Sequence, residues 1–271
     1  MNAVMNSRPI LSLARAWEPP ATSWIPAAFS EQLWQLYQLV QHSQQVFGSP
    51  LGPFPANGRA LYLPRFVYFG SPAADALRLS FLAGWDHRDL RPTLALLRLV
   101  EGIARKPDLG HGLHLTFFPL IDVLGLADRP EPRDLAQVDW SRSTAPEIRL
   151  LERDARDRGY HGFVQLETAP DEDVITVRLR APVPLENVAP ALELISSDDV
   201  APFAVRWESE NPARTLPGPL SIADDLPLSP FELTVRIPAG WPLDLYAEAT
   251  ASILKRFVLR YRGFISYAQH L

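Results

Sequence analysis

The sequence predicts an α/β fold, a three-layer arrangement in which a mixed, mainly parallel sheet lies between helices on both faces. Short apolar or alternating runs recur along the chain, and amphipathic helical stretches separate most of them, the order that produces parallel strands with helical crossovers. The composition fits such a body. The chain has 271 residues, of which 47% are hydrophobic and 21% charged, ordinary values for a globular protein with a sizeable core.

The elements follow in order. Residues 1–28 read as a Pro-rich extension wrapping the surface of a single domain that spans 1–271. Ser30 is placed to cap a helix whose Leu33, Leu36, Tyr37 and Val40 follow the i, i+3, i+4, i+7 spacing. Residues 48–58 read as a loop, and 60–63, 66–69 and 78–82 as strands. A helix over 92–105 puts Leu96, Leu97, Val100 and Ile103 on one side, and Pro107 and Gly110 close it. Residues 113–118 form a strand, and 127–142 a charged irregular segment. Thr144-Ala145-Pro146-Glu147 has the form of a capping box, opening a helix that Gly159 ends. Strands are expected over 162–167, 174–179, 203–207 and 231–237, with a short helix over 185–195 and a long final helix over 242–261.

Composition also excludes several functions. The net charge is −5 and no run of Lys or Arg occurs, so a nucleic-acid surface is not expected. There is no cysteine, which removes disulfides and thiolate metal sites. No stretch has the length and apolarity of a signal peptide or a membrane span, so the expected location is the cytoplasm. The 27 prolines cluster in loops, and no repeat of solenoid period is seen. A Gly-x-Ser-x-Gly elbow, a phosphate-cradling glycine loop and a Cys-His pair are all missing.

The most informative stretch is Ala83-Gly84-Trp85-Asp86-His87-Arg88-Asp89, between a strand's carboxyl end and a helix, where α/β proteins place their sites. Four later segments accompany it. They are Phe117-Phe118-Pro119-Leu120-Ile121-Asp122-Val123-Leu124-Gly125, Arg133-Asp134-Leu135-Ala136-Gln137-Val138-Asp139-Trp140, Gly162-Phe163-Val164-Gln165-Leu166-Glu167-Thr168 and Pro230-Phe231-Glu232-Leu233-Thr234-Val235-Arg236-Ile237-Pro238. In this order and spacing they resemble the zinc carboxypeptidase superfamily, in its succinylglutamate desuccinylase/aspartoacylase-like branch, over roughly residues 60–271. The resemblance implies a mixed sheet between helices. It also implies a hydrolase whose zinc is held by a Gly-x-His-x-x-Glu turn and a later His, with a Glu activating the bound water.

At those positions the resemblance puts Asp86 and Asp89 for the His and Glu of the turn, and Glu167 for the third ligand. Asp122 stands at the Asn of a Pro-x-x-Asn-Pro-x-Gly loop. Ala136 and Gln137 stand where an Asn and an Arg bind the substrate carboxylate. The water-activating position falls on Arg236 when the strand end is aligned, and on Glu232 in a Phe-Glu-Leu alignment; 232, 234 and 236 share one strand face. Three carboxylates without a nitrogen suit calcium, magnesium or manganese better than zinc, and His87 is placed to add one nitrogen. Each acid also has an ordinary structural reading: Asp89 as a helix N-terminal charge, Asp86 as a turn residue, Glu167 as an ion-pair partner. Elsewhere, His111, His114 and Asp108 are too loosely spaced for a metal, His161 and His270 are isolated, and Asp198-Asp199 and Asp224-Asp225 read as solvated turns.

Three readings follow. The first is a carboxypeptidase-like pseudoenzyme that has lost its zinc, needs no cofactor, and binds a peptide-like ligand or a protein partner. The second is a divergent hydrolase of peptide or N-acyl amino acid bonds, with Asp86, Asp89 and Glu167 on a hard divalent cation and Glu232 as base. The third is metal-free acid–base chemistry between an aspartate and His87. If the first holds, a cation must replace the metal's charge, and Arg236 is expected to pair with at least one of the three acids.

Overall fold

A computed structural model describes residues 27–56, 58–70, 76–107, 109, 112–128, 133–182, 203–209 and 217–268. The elements are α1 (Ala27–Val40), β1 (Val46–Gly48), β2 (Leu51–Ala56), β3 (Arg59–Leu63), β4 (Phe66–Phe69), β5 (Leu77–Leu82), α2 (Arg91–Arg105), β6 (Leu113–Phe118), α3 (Val123–Asp128), α4 (Pro146–Arg158), β7 (Gly162–Ala169), β8 (Ile175–Arg180), β9 (Val205–Ser209), a 3-10 turn (Pro219–Asp225), β10 (Phe231–Pro238) and α5 (Leu243–Ala268).

Eight strands form one sheet in the order β1-β4-β6-β5-β7-β10-β8-β9, and β2 and β3 form a separate hairpin. The central run β6-β5-β7-β10 is parallel throughout; β1, β4 and β8 join antiparallel, and β9 pairs parallel with β8. This is the mixed, mainly parallel sheet expected from the alternation of strands and helices.

The two faces differ in chemistry. On one, Phe231, Leu233, Val235 and Ile237 of β10 are buried, and Phe231 packs edge-on against Phe257 and Tyr261 of α5. Helices α1, α2 and α5 pack together on this side. The opposite face begins apolar, with Phe163 against Trp140 and Tyr160, and turns polar toward the carboxyl ends of the strands. On this face β7 presents Gln165 and Glu167, β10 presents Thr234 and Arg236 opposite them and Glu232 opposite Phe163, and β8 presents Thr176, Arg178 and Arg180 in register with Arg236, Thr234 and Glu232. An 8-residue strand that alternates Phe-Glu-Leu-Thr-Val-Arg-Ile-Pro produces this split by the two-residue period of the pleat.

Several local expectations are corrected. Residues 51–56 form a hairpin strand with β3 where a loop was expected, and 123–128 and 219–225 are short helical turns with no clear periodic signal. The first helix starts at Ala27, so Ser30 lies inside it. The capping box at Thr144 does not form: α4 is capped by Ala145 with Pro146 following, and Glu147 is instead fully buried, accepting the Leu124 backbone N–H at 3.1 Å. Gly159 does end α4 in the left-handed conformation, as expected. The helix expected over 185–195, Asp198-Asp199, His111, Asp108, His270 and most of the N-terminal extension lie outside the described residues.

Candidate functional site at the carboxyl ends of the central strands

The turn after β5 is shaped by Gly84. Its φ is +68°, and a β-carbon there would stand 2.5 Å from Thr93 Oγ1 and 2.8 Å from Leu120 Cα. Only glycine lets the chain run this close to the loop after β6. The Gly84 carbonyl accepts the N–H groups of Ile121 (3.1 Å) and Asp122 (2.8 Å), which locks the two loops together.

Asp86 and Asp89 lie in the turn after β5, and Glu167 lies near the carboxyl end of the neighbouring β7. Their carboxylates do not meet at one point; each is held by its own arginine. Asp86 Oδ1 accepts Arg88 Nε at 2.8 Å on the surface, and these bonds hold its carboxyl below the usual range. Asp89 accepts Arg91 Nε at 2.8 Å and the Arg91 backbone N–H at 3.1 Å. Burial raises the Asp89 carboxyl, but bonds from Arg91 and Thr168 outweigh it and leave it low. Arg91 also donates to the Ala239 carbonyl, tying this turn to the end of β10. Because Arg91 is the first residue of α2, Asp89 sits at that helix N-terminus, in agreement with its structural reading.

Glu167 stands directly opposite Arg236 in the β7–β10 register, with Arg236 Nε 3.8 Å from Glu167 Oε2. Arg236 NH1 makes a closer bond to Glu172 in the β7–β8 turn. Burial pushes the Glu167 carboxyl up despite Arg236, Arg178 and Arg180, and Asp134 adds to the rise. Earlier on the same face of β10, Glu232 is buried with Oε1 2.9 Å from Arg180 NH1, and burial pushes it up to about 7. Both alternatives for the water-activating position therefore share the polar face. Arg236 is nearer the strand end, and a guanidinium, permanently protonated, cannot serve as a base.

Asp122 is completely buried and does not line the polar face as a free acceptor. Its Oδ2 bonds His87 Nδ1 at 2.6 Å and the His87 backbone N–H at 3.1 Å. Its Oδ1 bonds the Gly125 N–H at 3.1 Å and Arg133. A β-carbon on Gly125 would stand 2.4 Å from His87 Nδ1, so a glycine is needed for the pair to lie against α3. Arg133 NH2 bridges onward to Glu147 at 2.8 Å, placing one guanidinium between two fully buried carboxylates. The sequence reading took Glu147 for part of a capping box and Arg133 only for the start of a matching segment, so their bridge to Asp122 escaped it. Ala136 is half-buried beside Gly218, and Gln137 is exposed.

The donors do not match a zinc centre, which takes imidazole nitrogens and a carboxylate with one position open. Asp86, Asp89 and Glu167 offer oxygen only, and each is already bonded or paired to an arginine. Among the described residues the group whose ligand atoms come within 4.8 Å of one another is instead Asp86, His87 and Asp122. In that group Arg88 occupies Asp86, and Asp122 is filled by His87, Gly125 and Arg133. His161 Nδ1 accepts the Arg78 backbone N–H at 3.1 Å, and His114 packs edge-on against Phe69, so both are structural. No helix among the described residues is long and apolar enough to cross a membrane.

No family model and no curated protein matches the sequence. Solved structures do match. A metallo-carboxypeptidase from Burkholderia cenocepacia superposes with a TM-score of 0.68 at 14% identity, over 92% of this chain and 71% of that one. A metallo-carboxypeptidase from Pseudomonas aeruginosa, in complex with (2-guanidinoethylmercapto)succinic acid, gives 0.55 at 16%, over 91% and 69%. An aspartoacylase family protein from Mesorhizobium loti gives 0.55 at 14%, over 79% and 68%. The chain therefore has the fold that these metallo-carboxypeptidases and this aspartoacylase family protein share.

Proposed function

We propose that this chain is a catalytically degenerate member of that fold, which acts by binding a peptide-like ligand or a protein partner at its polar face. One observation supports the reading: where the resemblance puts the three zinc ligands, three carboxylates are each paired to an arginine, and Arg236 is one of the two residues, with Glu232, that the resemblance offers for the water-activating position. A guanidinium answers a carboxylate's charge with fixed, forked hydrogen bonds, so these pairs do structurally what a divalent ion would do. They leave no proton acceptor at position 236. The full span of 1–271 as one domain belongs to the same proposal. The test is to purify the chain with zinc, manganese and calcium supplied, then measure metal content and hydrolysis of peptide C-termini and N-acyl amino acids. The reading predicts neither stoichiometric metal nor turnover.

A second reading is favoured by the approach of Asp86, His87 and Asp122 to within 4.8 Å. In it, a divalent cation displaces Arg88 and uses His87 as its one nitrogen ligand, in a divergent metal-dependent hydrolase. Metal bound one-to-one and lost on His87→Ala supports this reading and sinks the first. Binding without turnover of (2-guanidinoethylmercapto)succinic acid, the compound in the Pseudomonas aeruginosa complex, supports the first.

A further inference from the structure

Glu232 and Gln165 lie diagonally on the polar side of neighbouring strands, Glu232 opposite Phe163 and Gln165 opposite Thr234, and both are almost wholly buried. Glu232 Oε1 is taken by Arg180. Glu232 Oε2 and Gln165 Oε1 have no hydrogen-bond partner among the described residues. The segment around Gly218 and the Ala136 carbonyl close over them. A β-carbon on Gly218 would stand 3.2 Å from Glu232 Oε2, 3.6 Å from Gln165 Nε2 and 3.5 Å from Ala136 O.

A buried acceptor without a full hydrogen bond is costly, on the order of 1–3 kcal/mol for each, and the Gln165 amide, the nearest donor to the Glu232 carboxylate besides Arg180, does not complete one to Oε2. A single proton removes both deficits. Placed on Glu232 Oε2 it turns the carboxyl into a donor, and Gln165, rotated about its terminal amide, offers Oε1 to receive it. The charged groups on this face are Arg180 and Arg178 from β8, Glu167 from β7, and Arg236 further along β10. Arg180 bonds Glu232 directly and favours its ionised form, whereas Glu167 opposes it.

We propose that Glu232 is a proton-binding site in the floor of the polar face, alternating between a carboxylate paired with Arg180 and a neutral acid donating to Gln165. Burial is the largest influence on this carboxyl and outweighs the attraction of Arg180 and Gln165, so the exchange falls near neutral pH. Protonation leaves the floor one unit more positive. An anionic ligand group over this face then binds more tightly on the acid side of neutrality and less tightly above it. The proton site stands whether or not the face binds a ligand.

The experiment is a carboxyl-carbon NMR titration of the whole chain labelled at glutamate, from pH 4.5 to 9, with Glu232 assigned by through-bond correlation in the unmutated protein. The expected result is one glutamate titrating near neutral pH, absent in Glu232→Gln and retained, at a slightly lower midpoint, in Glu167→Gln. Assignment in the unmutated protein keeps the result independent of whether Glu232→Gln folds. A Glu232 signal that titrates below pH 6, or a near-neutral titration that survives in Glu232→Gln, overturns the proposal.

Discussion

Arg236 and Glu167 occupy directly opposed positions in the parallel pairing of β10 and β7, with Arg236 Nε 3.8 Å from the glutamate Oε2. The resemblance puts a zinc ligand at Glu167 and offers Arg236, or else Glu232, for the water-activating residue; Glu167 and Arg236 form an ion pair. Arg236 reaches further, to Glu172, and so also fastens the β7–β8 turn.

Replacing Arg236 with alanine leaves two partly buried glutamates without their nearest cation. Breaking a fully buried pair costs roughly 3–5 kcal/mol, and partial exposure here reduces that to about 1–2 kcal/mol. Calorimetry should show a clear fall in Tm. An Arg236→Ala protein as stable as the parent would mean that the acids are compensated by other groups.

Arg133→Ala should be worse. It strands Asp122 and Glu147, both fully buried and both bonded to the same guanidinium, so a loss of about 3–5 kcal/mol is expected. Chemical denaturation reads this directly, and a loss below about 1 kcal/mol would contradict the assigned role.

Asp86 and Asp89 should separate in the same assay. The Asp86–Arg88 pair is largely solvent-exposed, so Asp86→Ala should change stability by less than about 1 kcal/mol. Asp89 adds the helix N-terminus of α2 and a link through Arg91 to Ala239, so Asp89→Ala should cost more, about 1–2 kcal/mol. The reverse order would argue that Asp86 has a role the structure does not show.

Glu232 also sets a pH dependence. Its carboxyl is raised in the folded state, from an ordinary 4.5 to about 7, so the folded protein binds the proton more tightly than the unfolded chain. This contribution is fully favourable below about 4.5 and declines as pH rises to about 7. A shift of that size corresponds to something on the order of 3 kcal/mol. Denaturation midpoints at pH 5 and pH 8 should differ less in Glu232→Gln than in the parent. An unchanged difference would assign the pH dependence to other groups.

The fold was largely legible because its strands are strongly patterned. The alternation from Phe231 to Ile237 marks a half-apolar strand, and Gly84 marks a turn that only glycine can take. What could not be read depended on partners distant in sequence. The resemblance put Asp122 at a loop position that binds substrate, yet His87 and Arg133 fill it from two other segments. Glu147 fits a capping box by spacing, but burial and Arg133 claim its side chain. The three acids at the ligand positions could be placed on one sheet edge from order alone. That each would find an arginine of its own depends on side-chain direction, which the sequence pattern does not specify.

The central proposal is that arginines, not a metal ion, answer the charge at the positions where the resemblance puts the zinc ligands. The most direct measurement is metal content by mass spectrometry after purification with zinc supplied in excess, for the parent and for a triple Asp86→Ala, Asp89→Ala, Glu167→Ala variant. The account predicts substoichiometric zinc in the parent and no change in the variant. One zinc per chain in the parent, lost in the variant, would contradict it.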